Sequence, residues 1–373
     1  MKKKKIAWHL WMEKRSARLN KRRIKSKEKL RTKRITGGYS SEPSKRVEGK
    51  TCYFKLPHSM DLNQHYRPTM EFLNEFMDEY LDHNRKIHLD FSNLCEISPA
   101  AALVLVSELD RWSILRNFRP KVARMKHWDS RIRNRLSQMG FFKILDVVNP
   151  PKSRDNVDDD NIIYIPFWSN KFVVGTLIKE MREALEELTG PLPDLGLYTA
   201  LIEAMANSVQ HAYPQELIDS RRHLYRRWWM SGSYDRSISK LTVTFFDQGV
   251  GIPNTIENKY PIETILSFLD KVGIHDNDAS RIRAAMELGR SQTGQTHRGK
   301  GLPQMRWIID NNKDKMGKIR VVSNKGEYIY RYDGQEQTQS HARSINGTLI
   351  QWTFTLGRNA ENDEQYQIDF HQE

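Results

Sequence analysis

LYTALIEAMANSVQHAY, residues 197–213, repeats its apolar side chains at helical spacing, with Leu201, Ala204, Met205 and Ser208 on one face and Glu203, Asn207 and Gln210 on the opposite one. A carboxylate and a carboxamide four residues apart stack on one helical surface. The amide oxygen of Asn207 is a hard ligand suited to Mg2+ on a phosphate, and Glu203 can polarise a water or a hydroxyl. An ordinary amphipathic helix with polar residues on its wet side has the same spacing. The helix by itself therefore does not choose between the two.

Its neighbours along the chain narrow the choice. KLTVTFF, residues 240–246, is β-branched and aromatic and predicts a strand ending at Asp247. The acid opens DQGVGIP, residues 247–253, where it can accept a hydrogen bond from an exocyclic amine while Gly249 and Gly251 let the backbone approach a flat ring. A tight turn would use the same residues. RGKGLPQMRWIID, residues 298–310, sets Gly299 and Gly301 before a run of helical periodicity, so free N–H groups at a helix start can face phosphate. NGTLIQWTF, residues 346–354, predicts another strand behind Gly347 and Thr348. No G-x-x-x-x-G-K-S/T occurs anywhere, so phosphate binding would rest on a helix start and loop cations rather than on a P-loop.

These four segments, in this order, resemble the GHKL superfamily of ATP-binding domains found in gyrase, Hsp90, MutL and histidine kinases. Glu203, Asn207, His211, Ala212 and Tyr213 match the Glu, Asn four on, His-Ala and aromatic spelling of the bacterial anti-sigma-factor serine kinases. The resemblance covers roughly residues 165–357 and implies an α/β sandwich with ATP and Mg2+ as cofactors. It implies that Glu203 is the general base, Asn207 the Mg2+ ligand and Asp247 the reader of the adenine amine, supported by Thr348. Gly249 and Gly251 would line the base pocket; Gly299, Gly301 and Leu302 would wrap the triphosphate, with Arg298 or Lys300 neutralising it. His211 has a supporting role. The stretch 254–298 is where such domains keep a lid, here with a helix IETILSFLDKVG followed by a Ser-, Thr-, Gln- and Gly-rich end. No long helical hairpin with an exposed His precedes the domain, which argues against a histidine kinase.

Residues 51–148 alternate strand and helix: MEFLNEFMDEYL, then KIHLDFSNL, AAALVLVSELDRW, a strand near KVARM, and a single helix RIRNRLSQMGFFKIL. The LDFSNL-x-x-IS-x-AAALVLV passage and the closing RLSQMGFFKIL resemble STAS domains, the fold of anti-sigma-factor antagonists. One departure matters. The family's phosphoacceptor Ser follows an Asp, and those positions are Pro99 and Ser98 here, so this module is expected to dock or regulate rather than to cycle phosphate.

The expected fold class is α/β: a basic arm (1–48), a STAS-like layer domain (49–148), a linker (149–161), a GHKL sandwich (162–357) and a polar tail (358–373). Residues 1–34 hold 16 Lys and Arg against Glu13 and Glu28, and the rest of the 373-residue chain is neutral. All the basicity sits in the arm, whose residues 2–34 suit a polyanion such as nucleic acid through counterion release, or simply a solvated tail. No apolar run is long enough for a membrane span, no apolar core follows the lysines at 2–5, and only Cys52 and Cys95 are present, so a reduced, cytoplasmic chain is expected. Three functions fit. One is a serine kinase acting on a separate antagonist or sigma-like partner protein; another is an ATP-driven switch that closes as a homodimer and grips nucleic acid with the arm. The third is a scaffold that holds ATP with little turnover.

Overall fold

The computed structural model describes residues 45–82, 85–147, 161–192, 195–217, 225–291, 301–312 and 316–356. The basic arm through residue 44, nearly all of the linker and the tail lie outside them.

The chain is mixed α/β with several sheets. Its N-terminal layer has a four-stranded sheet in the order β1 (Lys45–Glu48), β2 (Thr51–Lys55), β4 (Lys86–Asp90) and β6 (Lys121–Ala123), with a two-stranded pair of β3 (Ser59–Met60) and β5 (Glu96–Ile97). Residues 45–48, which the sequence reading gives to the arm, pair with β2 and belong to the layer. Parallel pairing of β2, β4 and β6 needs crossovers, and helices α1 (Tyr66–Asp82) and α2 (Pro99–Arg116) supply them. Ser98 caps α2 by accepting the Ala101 N–H at 3.3 Å, and Pro99 stands at a first-turn position where no N–H is needed. The single helix expected over 131–145 is two: α3 (Ser130–Gln138) and α4 (Phe141–Ile144), separated because Gly140 takes φ +81°.

The C-terminal region holds an eight-stranded sheet in the order β13 (Glu336–Ser340), β12 (Gly326–Arg331), β11 (Lys318–Ser323), β14 (Thr348–Thr355), β10 (Lys240–Asp247), β9 (Trp228–Asp235) and β7 (Ile162–Tyr164), with β8 (Trp168–Asn170) also on β9. Side chains alternate across it. Trp228, Met230, Val243, Phe245, Val321, Ile350 and Trp352 face one core together with α5 (Gly175–Thr189), α6 (Leu197–His211) and α10 (Gly301–Asn311). Trp229, Phe246, Val322 and Leu349 point the other way and join the core of the N-terminal layer.

That second face explains why α2 is buried on nearly every side. Thirteen of its eighteen residues are buried, because it packs on β9 and β10 while sharing a core with Phe54 and Leu89 of the N-terminal sheet. Each large apolar side chain closed off this way contributes about 1.5–3 kcal/mol before entropy is counted. Polar bonds tie the same seam: Arg320 Nη2 donates to Leu62 O at 2.6 Å, Tyr66 Oη to Arg343 O at 3.0 Å, and the Tyr66 and His341 rings stack at 3.7 Å. The N-terminal layer and one face of the large sheet thus share a single core, distinct from the core on the sheet's other face. No helix among the described residues is long and apolar enough to cross a membrane.

Candidate functional site

Helix α6 buries Ala200, Leu201, Ala204, Met205 and Ser208 against the large sheet, which turns Glu203, Asn207, Gln210 and His211 to the other side. There they form one wall of a cleft of about 510 Å3. The ends of β10 and β14 form its floor with Phe245, Asp247, Thr348 and Ile350, and Asp247 stands directly opposite Thr348 in the ladder. The third wall comes from the chain after the turn at Gly251: α7 (Ile252–Thr255), a 3-10 turn (Ile256–Asn258), Lys259 and Tyr260, then Ala285 of α9 (Asp278–Ser291). A small apolar cluster of Ile256, Tyr260, Ile265, Leu269, Ala284 and Leu288 holds that wall together. Helix α8 (Ile262–Lys271) contributes Ile265 and Leu269 to it. Gly301 and Leu302, at the start of α10, close the rim.

Two glycines make the convergence possible. A Cβ at Gly249 would stand 2.4 Å from Ala212 O, so its absence lets the end of β10 sit on the end of α6, where Val250 N–H donates to the same carbonyl at 2.9 Å. Gly251 has φ +88°, and a Cβ there would meet the Asn324 side chain at 2.6 Å. Asn324 Nδ2 donates to Val250 O at 2.9 Å, and Ser323 Oγ accepts the Ile252 N–H at 2.9 Å while lying 2.9 Å from Thr348 Oγ1. The turn after Asp247 and the hydroxyl of Thr348 are therefore fixed by one small network.

Asp247 is buried, and one carboxylate oxygen accepts the Gly249 N–H at 2.9 Å. Burial pushes its pKa up to about 7, opposed only by that bond. A carboxylate this poorly solvated gains strongly from a donor presented by a ligand. The carboxamide of Asn207 has a buried Nδ2 without a hydrogen-bond partner. Asn207 lines the cleft, and rotation of its amide exchanges the unpartnered nitrogen for the oxygen, so a ligand that draws the side chain over can satisfy it. Burial, and then Lys259, lower the pKa of His211, with Glu203 opposing.

Of the residues singled out by sequence, Glu203, Asn207, Asp247, Gly251, Gly301, Leu302 and Thr348 come together in this cleft. Gly249 does not line it and acts through the packing on Ala212. Arg298, Gly299 and Lys300 lie outside the described residues. Lys259 and Tyr260 were missed, because NKY follows no periodic pattern; Phe245 and Ile350 were within reach, each two residues from a motif residue on the same strand face.

A larger cleft of about 610 Å3 opens on the other face of the sheet, between the layers, lined among others by Ser98, Arg135, Lys240, Arg320 and Gln351. Its carboxylates are already engaged locally: Asp61 accepts the N–H groups of Asn63 and Gln64, Glu96 the Ser59 hydroxyl, and Asp235 the Ser237 N–H. The chemistry therefore points to the smaller cleft, where the Glu203 carboxylate, the Asn207 amide, the poorly solvated Asp247 and the start of α10 share one space with Phe245 and Ile350.

Among the described residues no group of three or more His, Cys, Asp or Glu is arranged to hold a metal ion. The donor set of Asn207 and Glu203 instead fits Mg2+, which keeps waters and takes most of its other ligands from phosphates. No protein-family model and no curated protein matches the chain.

Proposed function

We propose that this chain binds Mg·ATP in the cleft between α6, β10 and α10 and transfers the terminal phosphate to a hydroxyl of a partner protein, as a regulatory protein of the anti-sigma-factor serine kinase type. On this reading residues 162–357 form a GHKL-type domain and the N-terminal layer is STAS-like. The observation that carries it is the convergence of Glu203, Asn207, Asp247, Thr348 and Gly301 from four separate segments on one cleft.

Each residue then has a task. Asp247, ionised, accepts a hydrogen bond from the adenine amine, with Thr348 beside it, and Ile256, Tyr260 and Ile350 enclose the ring. Asn207 would hold Mg2+, which when bound offsets phosphate charge. Glu203 takes the proton of the attacking hydroxyl as its oxygen bonds to the γ-phosphorus; the bond from that phosphorus to the bridging oxygen breaks, and its electrons leave with ADP. The start of α10 meets the charge on the leaving side, where the resemblance would also assign Arg298 or Lys300.

The acceptor belongs to another molecule. Ser98 caps α2 at the cleft between the layers, on the far face of the sheet from Glu203. A second reading, an ATP-driven switch, is favoured by one contact: Gln248, adjacent to Asp247, donates from Nε2 to Glu108 Oε1 of α2 at 2.9 Å, inside a fully buried group with Arg111 and Trp112. In that case Glu203 activates water, the bond change reaches Glu108 in the N-terminal layer, and residues 2–34 would be the part that grips nucleic acid.

Incubation with γ-labelled ATP and Mg2+, alone and with candidate partners, tests both. Label on a partner's Ser or Thr supports the kinase, and free phosphate that rises with added nucleic acid supports the switch. Glu203→Ala is expected to lower either turnover by about 100-fold or more while leaving ATP affinity nearly unchanged. Turnover that survives the substitution would remove Glu203 from the role of base.

A further inference from the structure

Three elements distant in sequence meet at the rim of the cleft. The point where a Cβ would stand at Gly301 is 3.4 Å from Glu203 Oε1 and 3.4 Å from Lys259 Nζ, so the carboxylate and the ammonium lie within two such lengths of each other. Both also act on His211, in opposite senses. Lys259 is the only Lys or Arg among the described residues that line the cleft. Its ammonium lies 5.6 Å from the centroid of the Tyr260 ring, and among the described residues neither it nor Glu203 joins an ion pair within 4.0 Å.

The backbone of Lys259 is nonetheless held. Its N–H donates to Ile256 O at 3.1 Å, and Ile256 and Tyr260 are buried in the apolar cluster of the third wall. An anchored backbone thus presents an exposed cation across a gap from a carboxylate, beside the first turn of an 11-residue helix. What suits that gap carries negative charge toward the ammonium and the helix start, and brings a proton within reach of Glu203. A terminal phosphate and the hydroxyl or water attacking it meet both demands.

We propose that Lys259 contacts the terminal phosphate of a nucleoside triphosphate and makes the cleft select triphosphate over diphosphate. This deepens the nucleotide reading above and rests on it. Lys259 is a binding residue for one phosphate; the base and the rest of the nucleotide are held by Asp247, Thr348 and the apolar walls.

Calorimetric titration of the full chain with Mg·ATP and with Mg·ADP tests this in the parent, Lys259→Met and Lys259→Arg. Lys259 is exposed, so neither substitution disturbs the core. The parent is expected to bind ATP more tightly than ADP. Loss of a charge-assisted contact should weaken ATP by about tenfold or more in Lys259→Met and ADP by less than about twofold, with Lys259→Arg recovering most of the difference. Equal losses for both nucleotides, or no loss, would overturn the role of Lys259 while leaving the cleft a nucleotide site. A parent that takes up neither nucleotide overturns both.

Discussion

Asp247 is the residue at which stability and binding oppose each other. Its folded pKa, about 7, lies above the ordinary 3.8, so the folded protein holds the proton more tightly than the unfolded chain does. The stability associated with that proton is complete below about pH 4 and is lost as pH rises through 7. Asn keeps the shape and an acceptor for the Gly249 N–H but cannot ionise. Asp247→Asn is therefore expected to be more stable than the parent at pH 8, by on the order of 2–4 kcal/mol, with the gap shrinking toward pH 5. Urea denaturation at the two pH values measures it, and a gap independent of pH would contradict the assignment. The same substitution weakens ATP binding, since an ionised acceptor for the adenine amine is gone, and in the parent ATP affinity should rise between pH 6 and pH 8.

At the scale of elements, the cleft depends on where one helix meets one strand. The end of β10 rests on the end of α6 through Gly249, whose missing side chain lets Val250 reach Ala212 O. A Cβ there would collide with backbone, which cannot swing aside as a flexible side chain does, so the helix end carrying Asn207 and His211 must shift. Gly249→Ala is expected to cost about 1–3 kcal/mol in chemical denaturation and to weaken nucleotide binding, although residue 249 does not line the cleft. Unchanged stability and affinity would mean that this contact does not set the site. Much at this scale is legible in the sequence. The apolar repeat of 197–213 becomes α6, and the β-branched run 240–246 becomes β10, which ends at Asp247 as expected. The break at Gly140 is hidden because apolar residues continue on both sides of it. Lys259 is hidden for another reason: its neighbours Ile256 and Tyr260 are sorted into a core by contacts with α8 and α9, and no local period announces them.

In the whole molecule the large sheet is covered on both faces, by α5, α6 and α10 on the cleft side and by the N-terminal layer on the other. The motif residues could be found from sequence because each lies in a short local pattern. The seam could not, because Trp229, Phe246, Val322 and Leu349 read as ordinary strand residues whose partners in the N-terminal layer lie far off along the chain. Buried in that seam, Glu108 accepts from Gln248, Arg111 and Trp112 at once. A charge removed from water so thoroughly adds little net stability, but it resists rearrangement, since losing any partner leaves it unpaired. The strand end that would read the base is thereby bonded to the helix at the heart of the N-terminal layer. The whole 373-residue chain is accordingly the right material for the decisive measurement, a calorimetric titration with ATP in the presence and absence of Mg2+. The account predicts saturable, one-to-one uptake that weakens markedly without Mg2+ and in Asn207→Ala. A folded chain that takes up no ATP with Mg2+ present would contradict it.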